Sequence, residues 1–218
     1  MKKLALAGIV TATALFGAAA LLGCHSSTSA GAAPGPVRGT ISAVDGAALT
    51  ITETAGKQIS LTLAPGAKVI DVLPASLSDV KAGAYIGTAA TRQPDGAYRA
   101  LELQVFPESM RGVGLGTRAW NLKPNSTMTN GTIGGLTQTG GTVGAVSGSS
   151  DLTLKVNDGS GEKTVLIPQG VAVVTYALGT MAELQPGAHV IFFPMTAADG
   201  SLTASQINVG KNGLVPPM

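Results

Sequence analysis

The strongest constraint on the fold of this chain is that it contains itself twice. Gly39-Thr40-Ile41-Ser42-Ala43-Val44 has a counterpart in Gly141-Thr142-Val143-Gly144-Ala145-Val146, 102 positions further on. Leu49-Thr50-Ile51 meets Leu152-Thr153-Leu154 at an offset of 103, and Gly83-Ala84-Tyr85-Ile86 meets Gly187-Ala188-His189-Val190 at 104. Asp95-Gly96 and Asp199-Gly200 keep that last offset. Ordered matches with so little drift indicate one duplicated structural unit, and a duplicated unit restricts the fold to architectures that two copies can build.

Within each unit, apolar and polar residues alternate, as in Leu49-Thr50-Ile51-Thr52 and Ile59-Ser60-Leu61-Thr62-Leu63. That period of two belongs to half-buried strands. Asp45-Gly46, Ala55-Gly56, Pro65-Gly66 and Asp95-Gly96 separate such runs in the first unit, as do Ser147-Gly148, Asp158-Gly159, Pro168-Gln169-Gly170 and Asp199-Gly200 in the second. These residue types suit tight turns. One segment per unit departs from the period: residues 76–83 and 180–187 place apolar residues three apart before a glycine, the pattern of one helical turn with a glycine stop. Three strands, a helical turn and two more strands is the order of an OB-type barrel. The expected fold is therefore all-β, with two tandem OB-like small barrels, each with a short helical turn before its last two strands; an immunoglobulin-like sandwich is the alternative. The expected divisions are a signal at 1–23, a tether at 24–36, repeat 1 at 37–106, a connector insert at 107–139, repeat 2 at 140–209 and a tail at 210–218. Units of about 70 residues lie near the lower limit for a self-sufficient core, so the two are expected to pack together.

The Gly-Thr-Ile-x-Ala-Val start, the helical turn and the closing Asp-Gly-x-x-x-Ala strand resemble exported bacterial OB-like domains of unknown function. The segment from Pro107 through Arg118, Trp120 and Pro124 to Asn130 is similar to an insert in a two-unit branch of that family. Where that insert pattern has glutamate and histidine this chain has Leu115 and Thr117, and Ala119 stands in the place of a proline. The resemblance thus implies no acid–base or metal role for the insert.

Lys2 and Lys3 precede an almost wholly apolar run from Leu4 to Leu22, which ends in Leu21-Leu22-Gly23-Cys24. A charged start, apolar middle and small-residue end make a secretory signal, and this ending resembles a bacterial lipobox. The resemblance implies cleavage before Cys24 and lipid attachment there, including a palmitate-type acyl chain. A membrane helix, or plain cleavage after Ala18-Ala19-Ala20, is the competing reading. Cys24 is the sole cysteine, so the exported chain holds no internal disulfide. Residues 25–36, HSSTSAGAAPGP, have the composition of a flexible tether reaching roughly 20 Å. His25 rather than aspartate after the cysteine points to the outer membrane in a two-membrane host. Setting Lys2 and Lys3 aside from 14 basic residues leaves 12 against 12 acidic ones. A neutral exported chain with few aromatic residues has no electrostatic or stacking basis for binding nucleic acid.

Residues carrying chemistry are sparse. His25 lies in the tether and His189, alone in the folded part, aligns with Tyr85, which makes it a rim residue rather than a base. No GxSxG turn supports a serine nucleophile, and the ligands for structural zinc are missing. Asp45, Asp95, Asp151, Asp158 and Asp199 sit singly at turns, in no calcium-loop pattern. Met110, Met128, Met181 and Met195 lack the close spacing of a copper(I) site. No metal, cofactor or catalytic residue is assigned. The glycines of RGVGLGTRAW, residues 111–120, alternate and precede no helix, so they match neither a dinucleotide nor a phosphate loop. This stretch is either a connector that buries Trp120 at the barrel junction or a surface on which Arg111, Arg118 and Lys123 surround Trp120, since Trp and Arg dominate interaction hot spots. The function expected is a lipid-anchored, non-catalytic binding or structural module of the cell envelope, facing the periplasm or exterior. Its partner would be an envelope protein, glycan or small ligand. A metal- or ligand-binding accessory of an envelope transport system is the first alternative, and an unrecognised enzyme the second.

Overall fold

The computed structural model describes residues 35–138 and 151–218. Cys24, the signal and most of the tether lie outside them, as does the Gly141–Val146 match. The described residues are all-β, with no helix longer than a single 3-10 turn. Their strands, in chain order, are β1 (Val37–Asp45), β2 (Ala48–Glu53), β3 (Gln58–Pro74), β4 (Tyr85–Arg92), β5 (Tyr98–Ala100), β6 (Glu102–Val105) and β7 (Gly116–Trp120). There follow β8 (Ser126–Gln138), β9 (Leu152–Asn157), β10 (Glu162–Ile167), β11 (Ala172–Leu178), β12 (His189–Phe192), β13 (Met195–Thr196) and β14 (Leu202–Gly210). None of the described helical turns is long and apolar enough to cross a membrane.

The alternation read from the sequence is the alternation of burial. In β3, Ile59, Leu61 and Leu63 are buried while Gln58, Ser60 and Thr62 face out; in β9, Leu152, Leu154 and Val156 are buried. The two helical turns also lie where the spacing places them. Leu77–Asp79 is closed by a capping box in which Ser76 N donates to Asp79 Oδ2 at 2.9 Å and Ser78 N donates to Ser76 Oγ at 3.2 Å. Met181–Glu183 repeats the arrangement with Thr180 and Glu183. This reciprocal satisfaction of free N–H groups is what makes so short a turn persist.

Strand pairing departs from one barrel per repeat. β1, β2 and β3 form an antiparallel meander, but β3 then pairs in parallel with β14, and β12 closes the ring between β14 and β1. The second ring runs β8, β9, β10, then β5 in parallel with β10, then β4 back to β8. Each ring thus takes three strands from one half of the chain and its closing strands from the other. The reason lies in β3. Its residues Val69 to Val72 are buried in succession, because Val69 faces the first ring's interior while Ile70 and Val72 enter a separate core between the rings. A strand buried on both faces needs partners on both edges; β3 finds β14 on one and β11 on the other. Pro65-Gly66, read as a turn, is instead a bulge in β3, since Leu61–Leu63 and Lys68–Val72 both pair with β14 across a register shift.

The start of the second unit also differs from the sequence match. β8, placed in the expected insert at 107–139, occupies the position of β1. Gly39 and Gly131 make the same close approach, for a Cβ on either would lie 2.4 Å from the carbonyl oxygen opposite, of Thr52 or Asn157. A register shift then follows Ile41 in β1 and Ile133 in β8. Gly131-Thr132-Ile133 is therefore the structural counterpart of Gly39-Thr40-Ile41. The core falls into three clusters, one inside each ring and a third between them that includes Ile70, Val72, Met128, Val174, Tyr176, Ile191 and Met218.

Candidate functional site: a cleft between the rings

Four of the eight aromatic side chains in the chain, Phe106, Trp120, Tyr176 and Phe193, converge on a cleft of about 110 Å³ at the third cluster. Phe106 stacks on Tyr176 with ring centroids 5.1 Å apart, and Tyr85 tilts against Phe106 at 5.5 Å. Trp120 and Phe193 approach to 5.9 Å at the mouth, where Phe193 is half exposed. An aromatic-poor composition thus yields an aromatic-rich site, because the rings gather the few such residues in one place.

The floor is made of amides. Gln104 and Asn130, from β6 and β8, are almost fully buried. Tyr176 Oη donates to Gln104 Oε1 at 2.5 Å, and Gln104 Nε2 donates to Glu102 Oε1 at 3.1 Å. Asn130 Nδ2 donates to the Val113 carbonyl at 2.9 Å. Gly87 runs beneath, where a Cβ would lie 2.8 Å from Asn130 Oδ1 and 3.2 Å from Gln104 Oε1. Among the described residues, Asn130 Oδ1 and Trp120 Nε1 are buried with no hydrogen-bond partner. Such groups ordinarily carry a cost of about 1–3 kcal/mol each and are uncommon in native interiors.

Behind Gln104 lies Glu102, fully buried, with Oε1 accepting from Ala89 N at 2.7 Å and Oε2 unpartnered. Burial pushes its carboxyl up to about 7, against the opposing pull of the Ala89 and Gln104 hydrogen bonds and of Arg38. Burial likewise raises Tyr176 well above the usual phenol range and lowers the guanidinium values of Arg38 and Arg118.

Of the residues singled out in the sequence, Arg118 and Trp120 meet here. The guanidinium carbons of Arg38 and Arg118 lie 5.8 and 5.7 Å from the Trp120 ring centroid, within cation–π range. Arg118 also donates to the Gly114 carbonyl at 2.8 Å. Gly114 combines a positive φ of 60° with a close approach to the Asn130 amide and the Arg118 guanidinium, and both favour glycine at this position. Arg111 is elsewhere, bound to Glu108 at 2.5 and 2.8 Å and lying over Tyr85. Lys123 belongs to a turn, its carbonyl accepting from Ser126 Oγ at 2.7 Å. Arg38 and Phe193 carried no sequence signal, and only the folding of distant segments brings them to Trp120. Met110 and Met128 reach the cleft together with Met218, while Met181 and Met195 are exposed elsewhere.

No carboxylate side chain lines the cleft, nor does His189, whose Nδ1 lies 3.0 Å from Thr40 Oγ1; Met218, which does line it, has its main-chain oxygen accepting from Arg38 Nε. Among the described residues no three His, Cys, Asp or Glu side chains gather as a metal site. The turn aspartates hold turns: Asp95 accepts from Ala97 N, Asp199 from Ser201 N and Asp151 from Gln169 N. The arrangement can bind, orient and desolvate a small molecule. Comparison with family models, with curated proteins and with solved structures returned no match.

Proposed function

We propose that the mature chain is a lipid-anchored protein of the cell envelope, attached through Cys24, and that it acts as a non-catalytic binding module with the inter-ring cleft as its ligand site. The observation that carries the binding reading is the convergence of Phe106, Trp120, Tyr176 and Phe193 on one concave space that the Gln206 and Asn208 amides and Arg118 also line. A concave, mostly apolar site with a few convergent polar groups is what small-ligand recognition requires. The ring order supports reading each ring as OB-like: an antiparallel meander of three strands, a third strand parallel to the last, and a helical turn between the third strand and the next. The anchor rests on the charged start, the apolar run and Leu21-Leu22-Gly23-Cys24. His25 favours the outer membrane of a two-membrane host.

Two measurements test this. Cys24→Ala is expected to abolish palmitate labelling and to release the protein from the membrane fraction; unchanged labelling and fractionation would sink the anchor. Native mass spectrometry of the protein extracted from its own host's membranes is expected to show a small-molecule adduct that Phe193→Ala weakens. Protein that is free of adduct in every growth condition, and unresponsive to added small molecules, would overturn the binding reading.

A further inference from the structure

We infer that the outer edge of β7 is a docking site for an extended segment of a partner protein, which adds to the sheet as a further strand and sets an acidic side chain against Arg118. Among the described residues the sheet order ends in β13, of two residues, and in β7, of five. β7 pairs with β8 along its whole length, from Gly116 opposite Asn130 to Trp120 opposite Ser126, and with no strand on its other side. Such an edge directs alternate N–H and C=O groups outward at the spacing of another strand. A lipid or a small ligand does not reproduce that spacing, whereas an extended peptide does. Proline, a bulge or a projecting charge commonly closes a natural edge. β7 holds no proline and its ladder with β8 is unbroken. Its one charged side chain, Arg118, is folded back over the Trp120 ring and onto the Gly114 carbonyl. Thr117, Arg118 and Ala119 are all exposed.

The two faces of β7 differ. Thr117 turns to Thr129 and to Asp158, whose carboxylate Lys163 already holds. Arg118 and Trp120 share the other face, beside Val113 and Phe193, each half exposed. A strand laid against β7 puts every second side chain on that face. A segment reading apolar–x–acid–x–apolar would therefore bring its acid to Arg118 and its apolar residues towards Val113 and Phe193.

Charge selects the occupant. Among the described residues neither Arg118 nor Lys123 has a carboxylate within ion-pair distance. Glu53 lines a groove with Arg38, Asn121 and Leu122 instead. A second copy of the chain fits less well, since full overlap of two antiparallel β7 strands sets Arg118 opposite its copy, and like charges so placed are destabilising. Residues 25–34 of the chain itself, HSSTSAGAAP, hold no acid to offer. The edge goes beyond the cleft as a site, because backbone forms it whatever the cleft holds.

Trp120 is the sole tryptophan and ends this strand, so its emission reports on the edge. The full chain, solubilised from membranes with its lipid, would be titrated with the blocked heptapeptide TVTETVT and with TVTKTVT. Two further forms of the acidic peptide would be N-methylated on alternate residues, one form for each of its backbone edges. The expected result is a saturable shift of Trp120 emission with TVTETVT, and binding of TVTKTVT roughly tenfold weaker. Methylation of one peptide edge should abolish binding, and methylation of the other should leave it in place. Arg118→Glu is expected to reverse the preference between the two peptides, and its binding of TVTKTVT would itself show that the variant is folded. Equal binding of the acidic and basic peptides overturns the inference, as does equal tolerance of the two methylated forms. Failure of every peptide overturns it too, and the adduct measurement above still decides the cleft separately. A dimer in sedimentation that TVTETVT does not dissociate would assign the edge to a second copy and overturn the inference as well.

Discussion

Val72 and Tyr176 stand opposite each other in the antiparallel ladder of β3 and β11, and they are equivalent residues, separated by the 104-position offset of the repeat. The pairs on either side mirror one another about this point: Ile70 faces Leu178, and Pro74 faces Val174. A pseudo-two-fold axis therefore passes between Val72 and Tyr176, and the two halves of the chain exchange their closing strands around it. This is the geometry of a domain-swapped dimer held within one chain.

Because each ring borrows strands from both halves, neither ring is expected to unfold alone. Calorimetry should show one cooperative transition, and Val72→Asp, which places an unpaired charge at a fully buried position on the axis, should lower stability by on the order of 3 kcal/mol. Two separate transitions would show that the rings are energetically independent.

Glu102 makes stability depend on pH in a direction unusual for a carboxylate. Its value is about 7 in the folded protein against about 4.5 when exposed, so ionisation is disfavoured in the fold. The penalty is absent below about pH 4.5, grows as pH rises to about 7, and is complete above that. Chemical denaturation at pH 5 and pH 8 is expected to reveal a loss of about 2.5 kcal/mol from this group. Glu102→Gln should flatten that dependence; an identical slope in the variant would reassign it.

Asp158 works in the opposite sense. It is buried, pairs with Lys163 Nζ at 2.6 Å, and accepts from Thr117 Oγ1 at 2.6 Å and from Ser160. Although burial alone would raise its value, these partners together hold it well below the usual carboxylate range. Its contribution is therefore present at neutral pH and is lost as pH falls below the ordinary aspartate value. Asp158→Ala strands Lys163 and unties β7 from the β9–β10 hairpin, at a cost of about 3 kcal/mol. Trypsin should then cut faster at Arg111 and Arg118, and unaltered cleavage would mean that Thr117 is not what secures the insert.

Trp120→Ala removes the ring that packs against the inter-ring core and seats both guanidiniums. A loss of about 2 kcal/mol is expected, below the range for a fully buried Trp because this ring is only partly buried. Trp120→Phe should recover much of it. A fully stable Trp120→Ala variant would mean that the ring serves binding alone.

Strands and helical turns were legible because their causes are local. Leu49-Thr50-Ile51-Thr52 alternates on its own terms, and Ser76 and Asp79 cap each other across three residues. Two stretches, Gly131-Thr132-Ile133 and Gly141-Thr142-Val143, carry the same pattern, so the sequence alone does not choose between them; Gly131 makes the close approach to Asn157 that Gly39 makes to Thr52. Arg38 is not legible as a neighbour of Trp120, because nothing near residue 38 indicates that its guanidinium will reach that ring.

The sequence by itself determined an all-β chain of two related units, the position of each helical turn, and the placement of its one tryptophan in the segment between the units. Which strands close which ring was decided only by the tertiary structure. Two copies of a unit offer nearly the same ladder edges, so closure within a unit and closure between units look alike in sequence. The difference lies in the middle of the molecule, where Ile70, Val72, Val174 and Tyr176 are buried only if the strands cross. That crossing also brings Trp120 and Phe193 from distant parts of the chain to a single cleft and sets Arg38 beside the Trp120 ring.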